Sequence, residues 1–299
     1  MAWYTSGGNV AIGENGLQFV SRYSNDGVSV ERTYRYRRAG PDEAWDAGLL
    51  VGSLGGGGSL GKTFDYTRGG RHCITEAYWP PVGDPLSVVS DDGGDAYVDA
   101  TVGDSDPVVA YLATVPEWYQ YFYRDHDGRL AAIRDRTFCV LSPLGSVATM
   151  WASGAWGGAD GYRNALFSRS GGGWSVVGFG NSLQRQYDAD GPGGSTWSLT
   201  YSEAGPYTNF DVGASCAGRN GTQALIGQEH SPAGNQQVWS RSDPTGVFTG
   251  PYLDVAMSNI AHAYLYERPD GVWECGWRTM TDWVVYQAAT PSGTWAVVS

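Results

Sequence analysis

The sequence predicts an all-β protein in which small antiparallel sheets repeat along the chain. The composition is one indication: 44 glycines, 13 tryptophans and 19 tyrosines suit many turns between strands with aromatic faces. A second is the alternation of apolar and polar residues, as in 261–268, which is typical of strands with one buried face. The third is a recurring hairpin, in which a turn rich in Gly, Pro or Asp leads into a strand that opens with Trp or Phe.

The recurring hairpin occurs four times, at residues 167–174, 239–248, 266–273 and 286–295. A related signal comes from three Asp-Gly dipeptides that lie between strand-like runs, namely Asp26-Gly27, Asp127-Gly128 and Asp270-Gly271. Asp-Gly predicts a two-residue turn of type I′, because both central residues of that turn need a positive φ.

The C-terminal part of the chain divides into two sets of four strands. We expect one set near 258–267, 272–278, 282–289 and 294–298, and the other near 213–218, 222–229, 235–241 and 246–252. A third, less regular set is expected across 145–205. Units of about 45–50 residues with four strands are typical of β-propeller blades, which stack around an axis because one blade cannot cover its own faces.

We therefore predict a β-propeller of five or six four-stranded antiparallel blades, with β-sandwich domains as the alternative. Residues 1–299 are expected to form a single propeller-like domain. Residues 1 to about 100 fit the repeat poorly, so residues 1–65 are alternatively a separate attachment segment.

Two of the turns resemble the Asp-box of sialidase-like and lectin-like β-propellers, whose pattern is Ser-x-Asp-x-Gly-x-x-Trp. They lie at 242–248 and 290–295, where the spacing from Gly to the aromatic residue is one residue short and Asp is displaced or missing. In that family the box is a structural turn between a blade's third and fourth strands. The resemblance therefore implies a fold and implies no activity.

The charge excludes two classes of partner. A net charge of −12 and a pI near 4.6 oppose binding to nucleic acid and to anionic membrane surfaces, both of which need a basic face. The first residues lack the basic and apolar regions of a secretory signal, and no apolar stretch is long enough to span a membrane. We expect a virion or extracellular location reached without a signal peptide, and a cytoplasmic location stays open.

No cofactor or metal site is assigned from the sequence. The segments Asp125-x-Asp127-Gly128 and Asp188-x-Asp190-Gly191 resemble the calcium loops of integrin-like propellers, but both lack a third carboxylate. Calcium is therefore the alternative to two ordinary hairpins.

No catalytic residue is assigned either, and the sequence favours a protein that is not an enzyme. A propeller glycoside hydrolase would draw its paired carboxylates from different blades, so no local motif would identify them. The generic candidates are glutamates at five positions: Glu76, Glu117, Glu229, Glu267 and Glu274.

Aromatic residues in turn-like surroundings are the candidate ligand-binding residues. Rings in loops stack on sugar faces and also form the energetic centres of protein interfaces. The candidates are Trp45, Trp79, Trp118, Tyr119 and Trp156.

The leading functional prediction is a non-enzymatic recognition protein that binds a glycan or a cell-surface receptor. The acidic, turn-rich composition is similar to that of phage virion and tail proteins, so a receptor-binding component with other virion proteins as partners is the most specific form. The alternatives are a propeller glycoside hydrolase and a purely structural assembly subunit.

Overall fold

In the computed structural model, the chain forms six four-stranded antiparallel sheets within the part that is described. The described residues are 10–25, 30–55, 60–79, 87–106, 109–110, 119–124, 130–134, 137–141, 147–149, 164–169, 172–180, 183–189, 197–204, 210–229, 235–257, 262–279 and 281–298. Each sheet is a meander of strands that follow one another in sequence, and we call the sheets blades 1 to 6.

The first three blades occupy the N-terminal half of the chain. Blade 1 contains β1 (Ala11–Ile12), β2 (Gln18–Asn25), β3 (Val30–Arg38) and β4 (Leu49–Gly55). Blade 2 contains β5 (Leu60–Arg68), β6 (Arg71–Trp79), β7 (Ser87–Ser90) and β8 (Val98–Asp99). Blade 3 contains β9 (Tyr119–Arg124), β10 (Leu130–Arg134), β11 (Thr137–Leu141) and β12 (Val147–Thr149).

The last three blades occupy the C-terminal half of the chain. Blade 4 contains β13 (Asn164–Ser168), β14 (Trp174–Gly180), β15 (Leu183–Ala189) and β16 (Trp197–Ala204). Blade 5 contains β17 (Phe210–Ala217), β18 (Gln223–Glu229), β19 (Gln236–Arg241) and β20 (Thr249–Val255). Blade 6 contains β21 (His262–Glu267), β22 (Trp273–Arg278), β23 (Trp283–Ala288) and β24 (Ala296–Val297).

The blades are arranged in a ring. The first strand of each blade contacts the first strand of the next, from β1 and β5 through to β17 and β21, and β2 contacts β21 to close the circle. The predicted β-propeller is thereby confirmed, with six blades. In each meander, strand 1 is joined to strand 2, and strand 3 to strand 4, on one face of the ring. Strand 2 is joined to strand 3 on the other face.

The predicted strands of blades 5 and 6 agree with the structure to within a few residues. For example, β19 was expected at 235–241 and spans Gln236–Arg241, and β22 was expected at 272–278 and spans Trp273–Arg278. Residues 1 to about 100 were expected to fit the repeat poorly, yet residues 11–99 form two complete blades. The role of residues 1–65 as an attachment segment stays a prediction.

The hairpin at Asp270-Gly271 is present, but its turn is not of type I′. The Arg268 N–H donates to the Val272 carbonyl at 2.8 Å, and the Gly271 N–H donates to the Arg268 carbonyl at 2.9 Å. The loop therefore has three residues and ends on Gly271, whose φ is 85°. The same pair of bonds closes the turns at 13–17, 169–173 and 218–222, so this turn joins strands 1 and 2 in four blades.

Asp26-Gly27 and Asp127-Gly128 lie outside the described residues. The turns that resemble the Asp-box lie between β19 and β20 and between β23 and β24, which are third and fourth strands as the resemblance implies. The described part of the chain contains no helix that is long and apolar enough to cross a membrane.

Candidate functional site

The blades differ at one position that controls how each of them meets its neighbour. This is the first residue of the second strand, which lies opposite the last residue of the third strand. In blades 4 and 6 the pair is Trp174 with Ala189 and Trp273 with Ala288. The large ring and the small partner together fill the end of the blade, in line with the close packing of protein interiors.

Blades 1 and 5 have a polar pair at the same position. Gln18 pairs with Arg38, and Gln223 pairs with Arg241. The arginine Nε donates to the glutamine Oε1 at 2.7 Å in blade 1 and at 2.9 Å in blade 5. Each guanidinium then crosses the seam, by which we mean the boundary between neighbouring blades, to reach the preceding blade.

At the seam between blades 6 and 1, the arginine meets a buried carboxylate. Arg38 Nη2 lies 2.6 Å from Glu274 Oε1 and donates to the Tyr266 hydroxyl at 2.8 Å. The Tyr264 hydroxyl donates to the same Glu274 oxygen at 2.8 Å. Burial is the main reason why the pKa of Tyr264 is raised well above its usual value, so this group acts as a neutral hydroxyl donor.

The turn side of the same seam is also bridged by side chains. Arg268 of blade 6 extends to Asp42 of blade 1, with Nη2 to Oδ1 at 2.9 Å. Trp45 lies against the seam, where its Nε1 donates to the Tyr264 hydroxyl at 3.2 Å and its ring lies 4.4 Å from the Arg38 guanidinium carbon. These contacts fill the space between the two blades.

At the seam between blades 4 and 5, Arg241 has an equivalent role with neutral partners. Its Nη1 donates to Gln186 Oε1 of blade 4 at 2.6 Å and to the Gly246 carbonyl at 2.8 Å. The guanidinium carbon lies 4.5 Å from the centre of the Phe248 ring. Phe248 is the aromatic residue that follows one of the Asp-box-like turns, so this ring serves the packing of the seam.

The seam between blades 5 and 6 differs from both, because the arginine that bridges it is Arg219, whose Nη1 donates to the Arg268 carbonyl at 2.9 Å. Gly218 of blade 5 occupies the turn position that Arg268 occupies in blade 6, as their matching turn bonds show. A Cβ atom at Gly218 would lie 2.7 Å from Cζ2 of Trp273, so only glycine leaves room for that ring. The Trp273 ring therefore closes the bottom of the seam, and the space above it stays open.

The open space is a cavity of about 340 Å³, which we call the 5–6 cleft. Its volume is at the lower end of the range for small-molecule sites. Its described lining is dominated by hydroxyl side chains, together with one amide, one tryptophan, one acid and one arginine. The described residues that line it are Asn220, Thr222, Ser240, Arg241, Ser242, Thr249, Tyr252, Glu267, Gly271, Trp273, Ala289, Thr290, Pro291 and Ser292.

Several polar groups of the 5–6 cleft are held in place by neighbours. The Thr249 and Tyr252 hydroxyls are 2.6 Å apart, and Thr249 Oγ1 also donates to the Ser240 carbonyl at 3.2 Å. On the opposite wall, Glu267 Oε2 accepts the Arg219 N–H at 2.7 Å. The cleft thus presents preorganised hydroxyls, which both donate and accept hydrogen bonds. Such a lining suits a ligand with several hydroxyl groups.

Of the aromatic residues predicted to bind ligand, Trp45 is not among the described residues that line this cleft. Trp45 lies in a turn, as expected, but it is packed into the seam between blades 6 and 1. Trp79 and Tyr119 were expected in turn-like segments, whereas they are the last residue of β6 and the first residue of β9. Trp118 and Trp156 lie outside the described residues. Ligand binding by these five residues stays a prediction.

Two of the carboxylates singled out in the sequence, Glu274 and Asp188, have described hydrogen-bond partners. Glu274 is fully buried in the seam between blades 6 and 1. Asp188, from the second calcium-like segment, accepts hydrogen bonds from Ser175 at 2.5 Å and from Thr200 at 2.7 Å. The first such segment, 125–128, lies outside the described residues.

Apart from Glu267, which was a generic candidate carboxylate, sequence reasoning missed the residues that form the 5–6 cleft. Trp273 was assigned to the repeating hairpin and therefore to the fold alone. The signal that distinguishes it is the difference between repeats: Arg268 and Gly218 occupy the same turn position in consecutive blades. An alignment of the repeats on their turn glycines would have shown this difference.

Comparison with known proteins supports the fold. No protein-family model matches the chain, and no curated protein matches it in sequence. The chain is similar in structure to a lectin from Aleuria aurantia in complex with α-methyl-L-fucoside, with a TM-score of 0.53, 9% identity and 95% of each chain covered. Another structure of this lectin is described as a six-bladed β-propeller, with a TM-score of 0.52 and 10% identity over 95% of each chain.

Two further solved structures have the same overall shape. A protein of unknown function from Dyadobacter fermentans has a TM-score of 0.57 and 10% identity, with 99% of this chain and 95% of that chain covered. The Hadza microbial sialidase Hz136 has a TM-score of 0.53 and 11% identity, with 98% of this chain and 65% of that chain covered. At such identities the likeness concerns the fold alone: this chain is a six-bladed β-propeller whose structural neighbours include both lectins and a sialidase.

Proposed function

We propose that this protein is a non-enzymatic recognition protein that binds a glycan, and that the 5–6 cleft is a binding site for one sugar unit. The observation that carries the proposal is the lining of this cleft. Hydroxyl side chains and one amide surround a cavity of about 340 Å³, and Trp273, which is 2% exposed, is among its lining residues. Cavities with a few placed polar groups are characteristic of ligand sites, and the fold is one that known lectins share.

The hydrolase alternative has less support from the described carboxylates. Glycoside hydrolysis needs two carboxyl groups on either side of the scissile bond. Of the candidate glutamates, Glu267 lines the 5–6 cleft, but Glu274 is enclosed by Arg38, Tyr264 and Gln287 and does not reach that cleft. One carboxylate is described at the cleft, which favours binding over hydrolysis.

A glycan array with the whole chain tests the proposal. Ser292 is exposed at the mouth of the 5–6 cleft, so Ser292→Arg fills the cleft without disturbing a buried group. Thr281→Arg is the matched control, because Thr281 is exposed in the turn between β22 and β23, on the opposite face of blade 6. We expect Ser292→Arg to abolish glycan binding and Thr281→Arg to leave it unchanged.

The same array separates the cleft from the aromatic residues predicted in turn-like segments. Trp118→Ala and Trp156→Ala should leave binding by the cleft intact. Loss of binding in either variant, with Ser292→Arg unaffected, would move the site to these rings. Release of reducing sugar by the wild-type protein would favour the hydrolase instead. The assignment to a phage virion or tail stays a prediction from composition.

A further inference from the structure

We infer that the 5–6 cleft selects uncharged sugars and rejects sugars that carry a carboxylate. This inference rests on the proposed function, since it concerns the ligand of the same site. It also separates two kinds of structural neighbour, because a sialidase acts on acidic sugars and needs cationic groups that are available to the ligand.

All three guanidinium nitrogens of Arg241, the arginine at the cleft, already donate hydrogen bonds within the protein. Arg241 is 4% exposed, and its Nε and Nη2 both donate to the side chain of Gln223. Its Nη1 donates to Gln186 at 2.6 Å and to the Gly246 carbonyl at 2.8 Å. These bonds join strands 2 and 3 of blade 5 and tie blade 5 to blade 4. A bidentate contact with a ligand carboxylate would have to break several of them.

The other charged residue in the described lining of the cleft is an acid. Among the described residues that line the cleft, Glu267 and Arg241 are the charged ones. Glu267 is held at the wall by the Arg219 N–H, which donates to Oε2 at 2.7 Å. Its contacts with the Arg219 backbone and guanidinium both use Oε2, the second at 3.7 Å. Sugar hydroxyls can donate to such an oxygen, whereas a ligand carboxylate is repelled by it.

The negative charge of the whole chain also disfavours anionic ligands. A net charge of −12 lowers the local concentration of anionic ligands, and this effect weakens as salt screens it. The remaining polar groups of the cleft are neutral hydroxyls and one amide. Among its described lining residues, the cleft therefore offers hydrogen bonds to hydroxyl groups, and its one positive charge, on Arg241, is already hydrogen-bonded within the protein.

The test compares matched oligosaccharides by isothermal titration calorimetry with the whole chain. One ligand ends in a neutral hexose, and the other is the same oligosaccharide capped with sialic acid. We expect the neutral ligand to bind at least tenfold more tightly, and the difference to shrink when salt is raised. Glu267→Gln keeps the acceptor for the Arg219 N–H but removes the charge, so it should strengthen binding of the acidic ligand relative to the neutral one.

The results of these titrations separate the inference about ligand charge from the assignment of the 5–6 cleft as a glycan site. If the acidic ligand binds more tightly and Ser292→Arg abolishes that binding, the cleft is a glycan site but our inference about charge is wrong. If the two ligands bind equally and Glu267→Gln changes neither, the inference is also overturned. If neither ligand binds, or if Ser292→Arg leaves binding unchanged, the proposed function is what fails.

Discussion

Arg38 and Glu274 join the first blade to the last through a buried ion pair, with 2.6 Å between Nη2 and Oε1. The two side chains are 2% and 0% exposed. Within the described residues, no strand is shared between blades 1 and 6, because every sheet is built from one continuous segment of the chain. This pair and its neighbours are therefore a main polar connection across the point where the ring closes.

Removal of one partner of this pair should destabilise the protein strongly. Glu274→Gln leaves the Arg38 charge buried without its carboxylate, and we expect the free energy of unfolding to fall by about 3–5 kcal/mol. Denaturant unfolding measures this change. Asp95→Asn is the matched control, since Asp95 pairs with Arg37 but is 64% exposed, and such a pair contributes about 0–1 kcal/mol. Equal effects in the two variants would contradict the role of the buried pair.

Gly218 should be essential for the shape of the 5–6 cleft. In Gly218→Ala the new methyl group meets the Trp273 ring at 2.7 Å, so we expect a loss of about 1–3 kcal/mol in the free energy of unfolding from overpacking. The displaced ring should also weaken glycan binding, as calorimetry would show. Gly40→Ala is the control, because a Cβ atom at Gly40 would have no heavy atom of another part of the chain within 4 Å. A neutral Gly218→Ala would show that the ring can move away without cost.

The buried His72 should make stability depend on pH near neutrality. Burial is the main cause of its lowered pKa, while Asp65, 2.9 Å from Nε2, raises it and Arg35 lowers it. Nδ1 lies 2.5 Å from the Tyr97 hydroxyl. The unfolded chain, with a pKa near 6.5, therefore binds a proton that the folded chain does not.

The sign of this effect follows from proton linkage. The free energy of unfolding should be highest above about pH 6.5 and should decrease as the pH falls through that value, until the pKa of folded His72 is reached. Denaturant titrations at pH 7.5, 6.5 and 5.5 measure it. His72→Gln should be less stable overall and should lose this part of the slope. An unchanged slope in His72→Gln would assign it to other groups.

Three cysteines should be unreactive in the folded protein. Cys73, Cys216 and Cys275 are free and buried, and burial raises the pKa of Cys73 and Cys216 to about 12. Since the thiolate is the reactive form, we expect a thiol reagent to label these residues only after denaturation. Mass spectrometry of labelled peptides would identify them, and labelling of Cys275 in the native protein would contradict the structure.

The fold was predictable from the sequence because its signals are local. Turn glycines such as Gly271 and the aromatic residues that follow the turns, such as Phe248, repeat at the spacing of a blade. Blades 1 and 2 were less visible because β1 and β8 have only two residues each, too few to show alternation. The exact turn at Asp270 was mispredicted because the dipeptide alone does not reveal that the loop has three residues.

The site was much less predictable, because it depends on which residues meet across a seam. Trp45 has the sequence surroundings of an exposed loop, but the approach of blade 6 encloses it. Trp273 has the surroundings of a structural hairpin, but a glycine 55 positions earlier leaves a cleft above it. Such pairs are distant in sequence, and only the arrangement of the blades brings them together.

The closing pair also has a consequence for the order of folding. Strand pairing within each blade is local in sequence, so these contacts can form early, whereas Arg38 and Glu274 are 236 residues apart. We therefore expect the ring to close last, after the separate blades have formed. Glu274→Gln should then accelerate unfolding and leave the refolding rate nearly unchanged, because the contact it removes is absent from the transition state.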